Sequence, residues 1–266
     1  MLIRSLSSLI ALGLAAGAMP AQAGPFAPAA GQVGSTAVSK TSTDIAQWAT
    51  GYQGYLPGGN VDATWKTPEK ALGAALGTST DIVSLGDQGV ITLTFGGAIA
   101  NGTGWDFAVF ENSFSDTFLE LAFVEVSSNG ADFFRFPTIS FTPSPVNAFG
   151  SVDPTNIDGL AGKYRQGFGT PFDLDVLAGV AGLNVNNISH VRLVDVKGDG
   201  SELDQFTFGS PHRIYDPFQT TGSGGFDLDA VGVRYLAAAV PEPESVALFA
   251  AGLGLVAWRV RRRASI

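Results

Sequence analysis

Apolar and polar positions alternate through the middle of the chain and run together only near its two ends. Alternation with period two places successive side chains on opposite faces of a strand. It is clear in GVITLTFGGAI (around Val90–Ile99), in Trp105–Asn112 and in Leu119–Gly130, and it returns in ADFFRFPTISF, Ser189–Val196 and Gly224–Leu236. Asn129-Gly130 is a hairpin turn signal. Helical periodicity is sparse. A short helix is expected near Asp44–Thr50, and another with Thr67 as N-cap and Pro68 in its first turn, burying Ala71, Leu72, Ala75 and Leu76. Gly73 and Gly77 keep the second one short, and a third fits Asp173–Ala178. No helix recurs between strands and no internal repeat is visible, which excludes a parallel α/β fold. The prediction is a mainly β body, an antiparallel β-sandwich of jelly-roll type built from meanders. The Gly-rich stretch Ser151–Gly182 interrupts it as a long loop.

The two apolar runs have different flanks. Arg4 precedes the run Leu6–Ala16, and Ala21-Gln22-Ala23 follows as a small-residue cleavage site. This is the layout of a secretory signal peptide, with signal peptidase cutting after Ala23. The run Ser245–Trp258 is uncharged; as a helix it spans roughly 21 Å against a hydrocarbon core of ~30 Å. Arg259, Arg261, Arg262 and Arg263 follow it. Positive residues beside an apolar run stay cytoplasmic and snorkel to lengthen the span. The body would then lie outside the inner membrane. Pro241-Glu242-Pro243 holds an extended segment just before the run.

Pro-Glu-Pro, an apolar helix and an Arg-rich end, in that order, resemble the PEP-CTERM sorting signal of Gram-negative bacteria. The resemblance covers about the last 27 residues of the chain. It implies recognition by an exosortase, removal of the tail, and delivery of the body to the cell surface or an exopolysaccharide matrix. The expected organisation is a signal peptide at 1–23, an N-terminal segment with short helices at 24–80, a β-sandwich at 81–236 and the sorting signal at 237–266, with its transmembrane helix at about 245–258. The segments WDFAVFEN, LAFVEVSSNG, GLAGKYRQGFGTPFDL, VRLVDVKGDGS and GGFDLDAVGV resemble, in the same order, a group of uncharacterised bacterial secreted surface proteins, from about Leu85 to Val233. A further resemblance is to galactose-binding-like jelly rolls, some of which hold a structural calcium through an acidic residue of the last strand; Asp229 is the matching position.

Charge narrows the partners. The chain carries 15 Lys and Arg against 24 Asp and Glu. Arg4 and the four tail arginines are five of the former, and Glu242 and Glu244 two of the latter. That leaves 10 basic and 22 acidic residues in the body from Gly24 to Val240. So acidic a body is unsuited to nucleic acid and suited to hydration and cation binding. No cysteine is present, so disulfides are unavailable in a compartment that would permit them. Packing, or bound calcium, must hold the loops.

Calcium takes oxygen ligands, and two stretches concentrate them. DVKGDGSELD offers Asp195 and Asp199, with Glu202 and Asp204; GFDLDAVG places Asp227 and Asp229 on one face of a strand, opposite Phe226, Leu228 and Ala230. The alternative for the loop is a solvated acidic turn, and for the strand pair an exposed face whose Asp side chains hydrogen-bond to neighbouring loops. Glu125 shares a face with Leu121 and Phe123 and needs a partner, for which Arg135 or Arg192 would serve. Asp106, Glu111, Glu120 and Glu125 are the raw material for a glycosidase pair. His190 reads as a structural histidine, His212 is the only other, and no nucleophile elbow, HExxH, P-loop or dinucleotide fingerprint occurs. Trp105, Tyr164, Phe168 and Tyr215 would stack on sugar rings if exposed, although Trp105 reads as core. The expected function is therefore a non-enzymatic exported module with calcium and glycan as candidate ligands. A carboxylate-dependent hydrolase of matrix polysaccharide and a purely structural surface protein are the alternatives.

Overall fold

The computed structural model describes residues 23–206 and 209–237. The tail elements Pro241, Glu242, Pro243, Arg259, Arg261, Arg262 and Arg263 lie outside the described residues, as does Ala21; Ala23 is the first residue inside them and is exposed. Among the described residues no helix is long and apolar enough to cross a membrane.

The protein is mainly β, with two principal antiparallel sheets. The first runs in the order Val38–Ser39, Phe168–Phe172, Phe107–Glu111, Asp227–Val233, Gln47–Trp48, and Val83–Ser84 also pairs with Asp227–Val233. The second runs Gly51–Leu56, Val90–Ile99, Ile188–Asp195, Ala122–Ser127, Phe134–Arg135. One hydrophobic core joins them. Phe107, Val109, Leu228, Val231 and Val233 enter it from the first sheet, and Ile91, Leu93, Val124, Val126, Val191 and Leu193 from the second. The alternating positions of the sequence supply these side chains, since period two sends every second residue inward.

Among the described residues, consecutive strands of the expected meander pair in two places, one of them Asp199–Leu203 with Arg213–Tyr215 outside the two main sheets. Ala122–Ser127 pairs with Phe134–Arg135 through the turn at Asn129-Gly130, where Ser127 Oγ accepts the amides of both turn residues at 3.2 and 2.9 Å. The central strands of the two main sheets have neighbours distant in sequence. Phe107–Glu111 lies between Phe168–Phe172 and Asp227–Val233, and Ile188–Asp195 lies between Val90–Ile99 and Ala122–Ser127.

Three local expectations change. Asp44–Thr50 contains the strand Gln47–Trp48 instead of a helix, because its backbone completes the edge of the first sheet. The segment after Thr67 makes only a 3-10 turn, Pro68–Ala71, and Thr67 Oγ1 donates to the Ile82 carbonyl instead of capping it. Gly73 follows at φ +87°, which ends the turn and leaves Leu76 exposed. The stretch from Asp173 likewise makes a 3-10 turn, Leu174–Leu177, capped by the Asp173 side chain on the Asp175 amide. The Gly-rich stretch Ser151–Gly182 supplies a strand of the first sheet, Phe168–Phe172. Gly169 is required there, since a Cβ would stand 2.8 Å from the Phe110 ring.

The last strand, Asp227–Val233, is buried at every position. Its register shifts between Leu228, opposite Glu111, and Ala230, opposite Phe110, so Asp229 occupies a bulge. The bulge breaks the period. Leu228 and Val231 both face the main core, while Ala230 joins Val38, Ala75, Ala108 and Phe110 on the outer side. The alternative of an exposed face fails, since Asp227 and Asp229 are both buried, but its hydrogen bonds to a neighbouring loop are present: Asp229 accepts the amides of Leu76 and Gly77.

Candidate functional site

The carboxylates offered as calcium ligands are dispersed. Both Asp195 oxygens accept backbone amides, from Phe226 at 2.6 Å and Gln88 at 2.9 Å. Asp199 pairs with Lys197 at 2.7 Å near the surface. Asp229 accepts the amides of Leu76 and Gly77 at 3.0 and 2.8 Å. Asp227 takes side-chain donors, the Ser84 hydroxyl and the Asn112 amide, the latter at 3.2 Å. Among the described residues no group of three or more His, Asp or Glu is placed to hold a metal ion. Asp195 and Asp229 act as staples: a carboxylate accepting two amides satisfies donors that a loop would otherwise bury unpaired.

Glu125 is clamped by both arginines. Arg135 Nε donates to Oε1 at 2.9 Å and Arg192 Nε to Oε2 at 2.5 Å. The guanidinium groups lie over Phe123 and Phe133, 3.9 and 3.8 Å from the ring centroids. This is a structural ion network on the second sheet, and it removes Glu125 from any pair with Glu111, which ends a strand of the first sheet. His190 Nδ1 meets Ser189 Oγ at 2.7 Å, and His212 Nδ1 meets Asp204 at 2.9 Å. Asp106 accepts the amides of Gly102 and Leu174, and burial raises its pKa to about 6.

A different set of residues converges on a pocket of about 230 Å³. Glu120 and Asp227 line it, with Asn112, Thr220 and Ser223 among its polar neighbours. Glu111 ends the strand Phe107–Glu111 and stands opposite Leu228, next to Asp227 in the last strand. Glu120 lies two residues before the strand Ala122–Ser127, and Gly162 packs against it; a Cβ on Gly162 would meet the Glu120 carbonyl at 1.9 Å. Both glutamates are almost fully buried, and Glu111 Oε1 and Glu120 Oε1 have no hydrogen-bond partner among the described residues. The other Glu111 oxygen accepts the Ser113 amide at 2.7 Å. Burial, and then the repulsion of Asp227, Glu111 and Asp216, push the Glu120 carboxyl well above its ordinary range. Burial does the same to Glu111. Asp227 is raised to about 7, again by burial, against the lowering effect of its Ser84, Ser223 and Asn112 hydrogen bonds.

Aromatic rings wall the pocket: Trp65, Phe114, Phe118 and Phe149. Phe114 and Phe118 stack at 4.7 Å between centroids, and Phe118 and Phe149 at 6.2 Å. Phe114 is 64% exposed and Phe149 84%. Serines fix this loop. Ser113 Oγ donates to the Phe118 carbonyl, and Ser115 Oγ accepts the Phe118 amide at 2.9 Å. The Val152 amide donates to the Thr117 carbonyl at 2.7 Å, which holds the Phe149 loop alongside.

The aromatics singled out in the sequence lie elsewhere. Tyr164 is buried, with its hydroxyl 2.8 Å from Thr36 Oγ1. Phe168 lies under Arg165 and Trp105 under Arg234. Trp105 is half-buried and packs against the outer core cluster of Val38, Ala75, Ala108, Phe110 and Ala230, and Tyr215 borders a separate hollow with His212. The signal for the true wall was present in ENSFSDTF: phenylalanines isolated among serines and acids have no apolar neighbours to form a strand's inner face.

Comparison with known proteins adds one finding. The PEP-CTERM protein-sorting motif matches residues 239–263. The chain thus carries the signal of an exosortase substrate, which implies export and passage through a membrane-anchored state before processing. No curated protein and no solved structure matches the chain.

Proposed function

We propose that this exosortase-sorted protein is a non-enzymatic glycan-binding module of the cell surface or its polysaccharide matrix, with a β-sandwich body. The observation that carries the reading is the stack of Phe114, Phe118 and Phe149 beside buried carboxyl, amide and hydroxyl groups. Sugars present an apolar C–H face and a polar hydroxyl rim, and such a wall and floor complement both. Phe114 and Phe149 stand largely in solvent, where their rings are open to a ligand. Titration of the intact chain in detergent with oligosaccharides from bacterial exopolysaccharides tests this. Saturable binding is expected, weakened about tenfold by Phe149→Ala. Failure of every glycan to bind would leave a structural surface protein.

One observation favours a second reading, a polysaccharide hydrolase. Glu120 and Asp227 share the pocket, and both carboxyls are shifted towards the protonated form that a general acid requires near neutral pH. Release of reducing ends that Glu120→Gln abolishes would establish it in place of the binding module.

A further inference from the structure

The pocket combines three features whose joint meaning exceeds general sugar affinity. Among the described residues its lining contains Glu120 and Asp227 but no Lys, Arg or His. Glu120 is 3% exposed, and its Oε1 has no hydrogen-bond partner among the described residues. A buried carboxyl oxygen without a donor is costly, and a ligand that brings the donor removes the cost. Further acidic groups stand behind it: Glu111, Asp216 and Asp227 lie close enough to act on Glu120, and Asp227 and Asp229 on Glu111. The remaining wall is aromatic, and ring faces attract cations.

A metal ion is a poor match to this set. No three carboxylates among the described residues are grouped to hold one. The serine and asparagine donors on Asp227 already occupy part of its coordination capacity. A hard cation needs about six oxygen ligands or more, and four of the lining residues supply only rings. An organic ammonium uses both halves of the pocket, its N–H groups on the carboxyls and its carbon frame on the rings.

Resting on the glycan-binding reading, we infer that the pocket selects a cationic sugar, a pyranose bearing a free ammonium group. The ring lies on the Phe114–Phe118–Phe149 wall and the ammonium donates to Glu120 Oε1 and Asp227. Glycans carrying deacetylated amino sugars are the ligand class, and N-acetylated or neutral glycans of equal length are discriminated against.

Calorimetry on the intact chain in detergent, with three tetrasaccharides, tests the inference. The probes are a fully deacetylated glucosamine oligomer, its N-acetylated counterpart and a neutral glucose oligomer. The deacetylated oligomer is expected to bind about tenfold or more tightly than either of the others. Glu120→Gln is expected to erase that preference. The preference in the unaltered chain is itself decisive, whether or not the variant folds. Equal binding of all three would overturn the ammonium inference and leave the glycan reading standing. Binding of none would overturn both. Calcium chloride that competes with the deacetylated oligomer at millimolar concentration would assign the carboxyls to a metal and also overturn the inference.

Discussion

Asp229 accepts the Gly77 amide at 2.8 Å and the Leu76 amide at 3.0 Å, so the bulge of the last strand anchors the segment that covers its outer face. Asp229→Ala would leave both amides unpaired and partly buried. A loss of about 2–3 kcal/mol is expected, read as a lower denaturation midpoint. Asp229→Asn keeps only one acceptor oxygen and should fall between the two.

The buried acids set an unusual pH dependence. Burial raises Glu111, Glu120, Asp195 and Asp216 well above their ordinary values, and Asp227 to about 7. The folded state therefore holds protons that the unfolded state has released, and stability falls as pH rises through the interval between the two pKa values. For Asp227 that interval runs from 3.8 to about 7. Melting temperature is expected to rise when pH is lowered from about 8 to about 5, the direction given by the linkage sign. A melting temperature that falls steadily over this range would contradict the burial of these groups. Asp199, partly exposed and lowered to about 2 by its hydrogen bond to Lys197, opposes the trend only at strongly acidic pH.

Gly162 sits at φ +85°, and a Cβ there would meet the Glu120 carbonyl at 1.9 Å. Gly162→Ala is expected to cost more than about 1 kcal/mol and to weaken glycan binding as well, because Glu120 must move. Gly179→Ala is the control: its φ is +80°, but nothing stands within 4 Å. It should lose stability without losing affinity.

Removing Glu125 leaves Arg135 and Arg192 facing each other without their shared anion. Glu125→Ala is expected to destabilise by about 2–3 kcal/mol, towards the lower end for a broken ion pair because both arginines are a third exposed. Glycan affinity should be unchanged, since Glu125 does not line the pocket. A parallel loss of affinity would place the binding surface on the second sheet.

Added calcium is expected to leave the melting temperature within about 1 °C of its value in chelator, because Asp195 and Asp229 spend both oxygens on amides and Asp199 is neutralised by Lys197. A rise of roughly 2–4 °C would mean that these carboxylates regroup around the ion.

The sequence by itself determined the strands that alternate cleanly, the Asn129-Gly130 turn and the sorting motif, because each is written in neighbouring residues: period two, a left-handed glycine, an ordered tail. It also marked Glu125 as needing an arginine. Tertiary structure decided everything that depends on who lies beside whom. Phe168–Phe172, disguised by Gly167, Gly169 and Pro171, becomes a strand because Phe107–Glu111 offers it a free edge. Asp227 and Asp229 part company because a bulge reverses the alternation between them. Glu120 and Asp227 meet, and Phe149 joins Phe118, only because the chain returns to the same place from distant positions. Local periodicity fixes which way a side chain points from its own strand. It carries no information about the long-range pairing that decides what the side chain then faces.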